Sequence, residues 1–329
     1  MNNIRTGTLN GHRAIYLEND LLRVCILPDK GADIAELIHK PGGVDCLAKT
    51  PWGLKPPGDA PATDFLENYE GGWQEMFPSS NDACEVRGHA IPFHGETPLL
   101  PWDYEILADA GDEIAVRFTV QSRALPLRLE RTMRLRAGAP TLTLAECVRN
   151  LGDAPAPFTW GHHFVLGAPF LEEGCWLELP AGVIISPDVQ FEPATAALAP
   201  GQREAWPLAL GRQPGQRVDL RQVRGPEAHT HDDVFLAELA RGHFSVTNAR
   251  LGLAVSLEWD AEIFRFVVLW MPYGGSDAPP LTGMYGLGVE PWVARYNLAR
   301  AIAEGQARVL APGELLETAL RVTYAAVGR

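Results

Sequence analysis

The sequence has few cysteines and no long apolar run, and both features limit what the chain can be. None of its 329 residues lies in an apolar stretch long enough to span a bilayer, and the first residues lack the apolar segment of a signal peptide. Five dispersed cysteines without a Cys-x-x-Cys pair favour buried, reduced thiols over a disulfide framework. We therefore expect a cytoplasmic protein. The cysteines are Cys25, Cys46, Cys84, Cys147 and Cys175.

Positive charge is also scarce. The chain has 28 Lys and Arg against 41 Asp and Glu, which gives a formal net charge of −13. A charge of this sign repels nucleic acid and anionic membranes. It also argues against a phosphorylated substrate, unless the pocket is locally basic. The expected partner is a small molecule, with no nucleic acid and no membrane, and we expect a monomer or a homodimer.

Helical patterns are nearly missing, whereas strand patterns recur along the chain. Leu127–Arg136 alternates apolar and basic residues, as an antiparallel strand with one face on a core does. Only Ala294–Glu304, followed by Gly305, has a helical pattern. Pro51–Pro61 is rich in Pro and Gly and is expected to form a surface loop. The other predicted strands are Arg13–Glu18, Leu21–Leu27, Trp102–Ala108, Glu113–Gln121, Thr141–Asn150, Cys175–Leu179, Gly182–Ser186, Val234–Leu239, His243–Asn248, Leu251–Trp259, Phe264–Met271 and Leu315–Tyr324.

Strands that follow one another without helices exclude a doubly wound nucleotide-binding fold and imply a sandwich or a closed antiparallel sheet. The chain has no internal repeat and no low-complexity linker. A β-sandwich of this length can be one domain. We therefore predict an all-β fold, a large antiparallel β-sandwich with few short helices, in a single domain over residues 1–329.

Polar residues interrupt this scaffold at four segments, the first of which contains His94. This histidine precedes Gly95 and Glu96 and follows a Gly-rich stretch with Trp73 and Gln74. Glycines beside a histidine allow the backbone to approach a ligand, and a neutral imidazole can donate a hydrogen bond to a sugar oxygen. A structural histidine in a turn is the alternative interpretation.

Two further segments carry paired histidines. His162 and His163 are adjacent, so on an extended chain they point to opposite faces, and only one can enter a given cavity. His229 and His231 have the spacing of metal ligands, but no cysteine or third histidine nearby completes a set. Asp232, which follows them at the start of a strand, can instead accept hydrogen bonds from sugar hydroxyls, or it can simply be solvated.

The fourth segment, Tyr285–Trp292, places a carboxylate at the end of an apolar, Gly-rich strand. Glu290 stands before Pro291 and near Trp292, so partial desolvation should raise its pKa and make it a better base at neutral pH. A structural glutamate bonded to backbone amides is the alternative. Aromatic faces can stack on the C–H faces of a pyranose, and tryptophans lie within or beside the polar segments. They are Trp73, Trp160, Trp270 and Trp292.

The order of these motifs resembles the aldose 1-epimerase (galactose mutarotase-like) superfamily. From Trp73 to the C-terminus the chain reads His-Gly-Glu, Trp-Gly-His-His, an Asp before a Phe-containing strand, and Val-Glu-Pro-Trp. The tail Leu310–Glu314 before a last strand is also typical. The resemblance implies a large antiparallel β-sandwich whose concave sheet carries a sugar cleft. It implies interconversion of the α and β anomers of a free sugar by acid–base ring opening, with no metal and no other cofactor.

The resemblance also implies roles for individual residues. Glu290 matches the general base, His163 the general acid with His162 as the alternative, and His94 a histidine that assists at the ring oxygen. Asp232 matches the carboxylate that binds substrate hydroxyls, with Asp233 as the alternative. The sugar stays open, because Ser79-Ser80-Asn81-Asp82 stands where galactose-type enzymes carry an arginine. The expected substrate-binding residues are Asp232, His162, Trp73, Gln74, Asn81, Glu96 and Trp270.

Other functions stay open beside this one. A hexose-6-phosphate mutarotase would need basic residues at the cleft, for which Arg87 or Arg295 could serve. A carbohydrate-binding sandwich would lack catalysis, and a cupin-like metalloenzyme would use His229 and His231. A glycosidase needs two carboxylates across the scissile bond, whereas only Glu290 looks specially placed.

Overall fold

The computed structural model describes residues 2–59 and 62–328, and strands make up most of its regular structure. Residues 51–59 of the predicted surface loop form neither helix nor strand, and Ala60 and Pro61 lie outside the described residues, as do Met1 and Arg329 at the ends of the predicted domain. The strands in chain order are β1 Asn3–Leu9, β2 His12–Glu18, β3 Leu22–Leu27, β4 Asp33–His39, β5 Val44–Asp45, β6 Trp73–Met76, β7 Cys84–Val86, β8 His89–Ile91, β9 Asp103–Ala108, β10 Glu113–Gln121, β11 Leu127–Arg136, β12 Thr141–Asn150, β13 Ala156–Phe158, β14 Gly161–Leu166, β15 Trp176–Glu178, β16 Val183–Ile185, β17 Arg203–Ala205, β18 Leu208–Leu210, β19 Arg217–Asp219, β20 Thr230–Ala237, β21 Gly242–Asn248, β22 Leu253–Trp259, β23 Phe266–Tyr273, β24 Leu287–Trp292, β25 Arg308–Leu310 and β26 Leu315–Ala326.

Two large antiparallel sheets contain most of these strands. The first, of 12 strands in the described chain, runs β1-β2-β3-β4-β6-β14-β24-β23-β20-β16-β17, with β5 paired to β4 beside this path. The second, of 8 strands, runs β15-β21-β22-β26-β12-β11-β10-β9. Three two-stranded pairs complete the structure: β13 with β25, β18 with β19, and β7 with β8.

The two sheets face one another across one hydrophobic core. That core contains Trp73 and Phe164 from the first sheet and Leu129, Leu144 and Val322 from the second. The alternating sequences of β11 and β12 produce alternating burial, because one face of each strand meets this core and the other meets solvent. The predicted all-β fold is therefore confirmed, while the single domain over residues 1–329 stays a prediction.

The helical content is small, and the predicted helix is shorter than expected. The structure has two α-helices, α1 Phe65–Asn68 and α2 Leu298–Ala303, within the described residues. Helix α2 begins at Leu298 rather than Ala294, because the Asn297 side chain accepts a hydrogen bond from the Arg300 amide and caps the helix there. None of the helices described is long and apolar enough to cross a bilayer.

The cysteines are free, and three of the five are buried: Cys25, Cys46 and Cys175. Cys84 and Cys147 are half-buried, so the expectation of five buried thiols is wrong for these two. Cys84 lies in β7 of a separate two-stranded pair, and Cys147 lies in β12 of the second large sheet.

Strands β6, β14, β24, β23 and β20 are neighbours in the middle of the first sheet. Every residue of β6, β14 and β24 is buried, since one face of these strands lies on the core and loops cover the other. Glu290 and His163 both lie on these central strands.

Candidate active site

A cavity of about 530 Å³ opens on the outer face of the central strands, opposite the core. This volume is within the range of small-molecule sites. Its wall includes Glu290 from β24, His163 from β14 and Trp270 from β23, three residues that the sequence predicts for the site. His94 and Asn81, from the loops around β7 and β8, also line it. The fold therefore brings together all three predicted catalytic residues and two of the predicted binding residues.

Glu290 is the most deeply placed carboxylate of this cavity and is only 2% exposed. Its Oε2 accepts a hydrogen bond from Trp292 Nε1 at 3.1 Å, and its Oε1 faces His163 Nε2 at 3.7 Å. Burial raises its pKa well above the usual value, although the hydrogen bond from Trp292 lowers it in part. The carboxylate occupies space that a side chain at position 288 would fill, since a Cβ on Gly288 would lie 2.5 Å from Oε1.

His163 is held among aromatic rings on the other side of this gap. Phe65 and Tyr69 meet its ring edge-on, at centroid distances of 5.4 and 5.1 Å, and Trp270 lies at 5.6 Å. Burial lowers its pKa to about 3, and its Nδ1 has no hydrogen-bond partner in the protein. The imidazole is therefore neutral in the empty cavity at neutral pH and would be a strong acid once protonated.

His94 approaches the same space from a tight loop. Its backbone has a φ of +62°, its amide donates to the Asn81 carbonyl at 2.9 Å, and its ring stacks on Phe93. The next residue must be glycine, because a Cβ on Gly95 would lie 2.5 Å from the Ser79 carbonyl oxygen. The His94 ring lies 5.4 Å from that of His163, and burial lowers its pKa well below the usual value.

Of the two adjacent aspartates, Asp233 lines the cavity and Asp232 does not, so the alternative of the sequence-based prediction holds the position. The two are neighbours on β20, so their side chains point to opposite faces. Asp232 accepts hydrogen bonds from the amides of Ala197 and Leu198 at 2.9 and 2.8 Å, and lies outside the cavity. Asp233 lines the cavity, and burial raises its pKa to about 6.

Four further residues predicted to bind substrate lie outside the cavity, and the structure corrects these assignments. His162, Trp73 and Gln74 are buried beneath the sheet or beside it, where Trp73 Nε1 donates to His162 Nδ1 at 3.1 Å and Gln74 donates to the Gly71 carbonyl at 2.7 Å. Glu96 accepts from Ser122 Oγ and from two backbone amides, so it fixes the turn that begins at Ser122. The hydrogen bonds that these side chains make are to other parts of the fold, and none of the four lines the cavity.

Asn81 and Trp270 keep their predicted positions, and other cavity residues had no sequence signal. Trp270 lines the cavity while its Nε1 donates to His231 Nε2 at 2.6 Å. Phe65, the first residue of the four-residue helix α1, and Tyr69, which directly follows that helix, reach the cavity, and so short a helix shows no helical pattern. The aromatic enrichment of the segment around them was the only available hint.

The metal-like spacing of His229 and His231 does not produce a metal site. Both ring nitrogens of His231 are used, one by Trp270 and the other by Ser276 Oγ at 2.9 Å, while His229 is exposed beside Asp277. Among the described residues, the group that could hold an ion is instead Glu75, Glu146 and His162 inside the core. The chemistry of that set does not fit a metal, because His162 Nδ1 accepts from Trp73 and its Nε2 therefore carries the proton.

The sequence and the fold have recognisable relatives. The model of a family described as a domain of unknown function (DUF4432) matches residues 9–324. No curated protein matches the sequence.

Three solved structures illustrate the similarity of the fold. The Slr1438 protein of Synechocystis sp. PCC 6803 is 18% identical, with a TM-score of 0.70 over 97% of this chain and 99% of that one. A candidate aldose 1-epimerase from Klebsiella pneumoniae is 18% identical, with a TM-score of 0.74 over 98% and 83%. A galactose mutarotase-like protein from Clostridium acetobutylicum is 15% identical, with a TM-score of 0.65 over 98% of each chain. The fold is therefore galactose mutarotase-like, as the order of the motifs predicts.

Proposed function

We propose that this chain, which belongs to the DUF4432 family and has the galactose mutarotase-like fold, is an aldose 1-epimerase that interconverts the anomers of a sugar. One observation carries the proposal: a buried carboxylate and a buried imidazole face each other across 3.7 Å in a cavity large enough for one pyranose. Such a pair can remove one proton and supply another without a metal or a covalent intermediate.

Ring opening requires two proton transfers at neighbouring oxygens. Glu290 takes the proton of the anomeric hydroxyl O1 as the C1–O1 bond becomes a carbonyl. His163 gives a proton to the ring oxygen O5 as the C1–O5 bond breaks. Rotation about C1–C2 presents the other face of the aldehyde, and ring closure returns both protons by the reverse steps. Each transfer contributes about 10²–10⁴-fold.

The pKa directions fit these roles. Burial makes Glu290 a strong base and makes protonated His163 a strong acid, because the charged form of each is disfavoured. Burial favours the neutral pair, so the hydroxyls of a bound sugar must first stabilise the Glu290 carboxylate and the His163 imidazolium, and proton transfer during ring opening then returns the two residues to the neutral pair. Ring closure restores the ion pair, so one proton cycles between the two residues.

Other cavity residues would hold the sugar. Trp270 offers an aromatic face beside His163, and Asp233 offers a carboxylate on the neighbouring strand β20. His94 is close enough to the imidazole of His163 to share the ring oxygen with it. We propose these as substrate contacts, with His94 assisting the acid.

The test is an anomer-exchange measurement by polarimetry or NMR on Glu290→Gln and on the wild type, over a panel of aldoses. We expect the variant to lose activity by about 10³-fold or more, since the amide cannot accept the O1 proton. Glu146→Gln is the matched control, because Glu146 is equally buried but lies in the core.

A carbohydrate-binding module would give a different result. The wild type and the Glu290→Gln variant of such a module would both bind sugar, and neither would accelerate anomer exchange. A Glu290→Gln variant that folds normally and keeps full activity would exclude Glu290 as the base.

A further inference from the structure

Two arginines and a tyrosine form one wall of the same cavity. The wall consists of Arg295 and Tyr296, which shortly precede helix α2, and Arg300, which lies within that helix. The guanidinium carbon of Arg300 lies 3.9 Å from the centre of the Tyr296 ring, and that of Arg295 lies 5.0 Å from it. Arg295 Nη2 also donates to the Tyr296 hydroxyl at 3.1 Å. The aromatic ring thus holds two cations at one wall, and we call these three residues the arginine wall.

The charges of this wall are not neutralised by the protein. A third cavity arginine, Arg203, pairs with Glu238 at 2.8 Å. Arg300 has only a distant, exposed pair with Glu304 at 3.9 Å. In the part of the chain that the structure describes, no carboxylate forms an ion pair with Arg295. Its Nε is buried and has no hydrogen-bond acceptor.

An arginine without a partner needs an explanation, because guanidinium stays charged at any pH that a protein meets. Stacking on Tyr296 and on Phe266, whose ring centre lies 5.7 Å away, stabilises the cation only in part. The planar donor groups of arginine match the two oxygens of a carboxylate, a phosphate or a sulfonate. An anionic ligand in the cavity would balance the charge that the protein itself does not neutralise.

We infer that the arginine wall binds an oxyanion of the substrate, so that the preferred substrate is an anionic sugar rather than a neutral one. The inference rests on the proposed function, since it names the substrate class for the same cavity. It also explains how a chain with a net charge of −13 can accept an anion, because the local charge at this wall is positive.

The acidic residues around the cavity leave this wall free. Asp82 and Asp188 line the cavity but are exposed and therefore solvated. Glu290 is buried on strand β24 and Asp233 is half-buried on strand β20 of the central sheet. None of these four forms an ion pair with Arg295 or Arg300 among the described residues, so the guanidinium groups are available to a ligand.

The experiment compares sugars that differ only at C6. The panel contains glucose and galactose with a hydroxymethyl group, their uronates with a carboxylate, and their 6-phosphates. Anomer exchange and equilibrium binding are measured on the wild type, on Arg295→Met and on Arg265→Met. Arg265 is the matched control, because it stacks on the same Phe266 ring at 5.9 Å but is not part of the cavity wall.

We expect the wild type to prefer one anionic series. Arg295→Met should lower kcat/KM and affinity for that series by about 10- to 100-fold, the loss expected for one charge-assisted hydrogen bond. The same variant should change the values for the neutral sugars by less than about threefold, and Arg265→Met should leave the ratio between the two series unchanged. A preference for uronates identifies a carboxylate, and a preference for 6-phosphates identifies a phosphate.

The inference would be overturned if the wild type had equal kcat/KM and equal affinity for neutral and anionic sugars. It would also be overturned if the Arg295→Met variant kept the preference for anionic sugars. Both results leave the epimerase proposal standing. If no sugar is anomerised but an anionic one binds through Arg295, the proposed activity fails and the arginine wall is supported. If no anionic sugar is bound at all, the inference fails.

Discussion

Strand β14 separates two carboxylate–imidazole pairs that look alike and differ in their surroundings. On one face, His163 meets Glu290 at 3.7 Å in the cavity. On the other face, His162 Nε2 lies 3.2 Å from Glu146 Oε2 in the core. Both pairs are buried, and burial raises the pKa of each carboxyl and lowers that of each imidazole. Perturbed pKa values therefore do not by themselves identify the reactive pair.

Access and neighbouring groups distinguish the two pairs. The inner pair, His162 and Glu146, is sealed between the sheets. It belongs to a polar cluster in which Glu75 accepts hydrogen bonds from Arg131 Nη1 at 3.1 Å and from Trp160 Nε1 at 2.8 Å. The outer pair, His163 and Glu290, lines a cavity that a ligand can enter, whereas neither His162 nor Glu146 lines it. The inner pair can only hold the sheets together, whereas the outer pair can meet a ligand.

The largest expected effect is a loss of anomer exchange when His163 is replaced, which replacement of His162 should not cause. His163→Asn should reduce anomer exchange by about 10²–10⁴-fold, because the proton donor to the ring oxygen is lost, and should change the melting temperature little. Anomer exchange by NMR and thermal unfolding are measured on the same samples.

His162→Asn is the control for this experiment. It should keep the activity of the folded protein but lower the free energy of unfolding by about 1–3 kcal/mol, since Trp73 and Glu146 lose their buried partner. If His162→Asn abolishes turnover in folded protein while His163→Asn does not, the assignment of the two faces is wrong.

A smaller loss of activity is expected when the Glu290 carboxylate stays present and only its position changes. A methyl group on Gly288 would lie 2.5 Å from Glu290 Oε1 and 3.0 Å from Trp270 Cβ. The carboxylate can rotate away at little cost in stability, but it then leaves the position opposite His163. Gly288→Ala should therefore lower kcat by about 10²-fold, as displacement of a reacting group by about 1 Å does.

Gly7→Ala serves as the matched substitution for that measurement. Gly7 lies on the edge strand β1, far in sequence and in the sheet from the cavity, and its added methyl group would meet the side chains of Tyr16 at 3.3 Å and Arg5 at 3.8 Å. Its activity should equal that of the wild type. Full activity of Gly288→Ala would mean that the reaction does not depend on the position of the Glu290 carboxylate.

The sequence predicts the alternating strands well and the buried ones poorly. The bounds of β10, β11 and β12 agree with the prediction, because each has one face on the core and one in solvent. Strands β6 and β14 are buried on both faces, so their residues do not alternate and period-two reasoning has nothing to detect. The motifs on β14 and β24 located the site only through the chemistry of their residues.

Within the site, the sequence alone could not decide which of two adjacent residues faces the cavity. Whether Asp232 or Asp233 enters the cavity depends on the register of β20, in which Asp233 pairs with Trp270. A shift of one residue reverses the faces, and no local pattern fixes it. Phe65 in α1 and Tyr69 directly after it reach the cavity through tertiary packing alone, so only the structure could place them.

The smallest expected effect concerns the inner pair, and it is measured through the titration of the Glu146 carboxyl. Burial raises the pKa of Glu146 to about 8 from the 4.5 of an exposed glutamate, although Arg131 opposes the shift. The folded protein therefore holds a proton that the unfolded chain has lost between these values. The stability from this group is fully present below pH 4.5 and is lost as the pH rises through 8.

Glu146→Gln cannot titrate, so it should flatten the dependence of stability on pH. The wild type should lose up to about 1.4 kcal/mol of unfolding free energy per pH unit from this group between pH 6.5 and 8. Urea unfolding at several pH values measures the slope, with the exposed Glu105→Gln as the control. His162 opposes this slope in part near pH 6.5, because the unfolded imidazole with its pKa of 6.5 is still partly protonated there, whereas burial lowers the folded pKa to about 4. This contribution is common to the wild type and Glu146→Gln, so the difference between their slopes reports on Glu146. A Glu146→Gln slope as steep as that of the wild type would show that the inner carboxyl is ionised, and the two pairs on β14 would then differ in charge as well as in access.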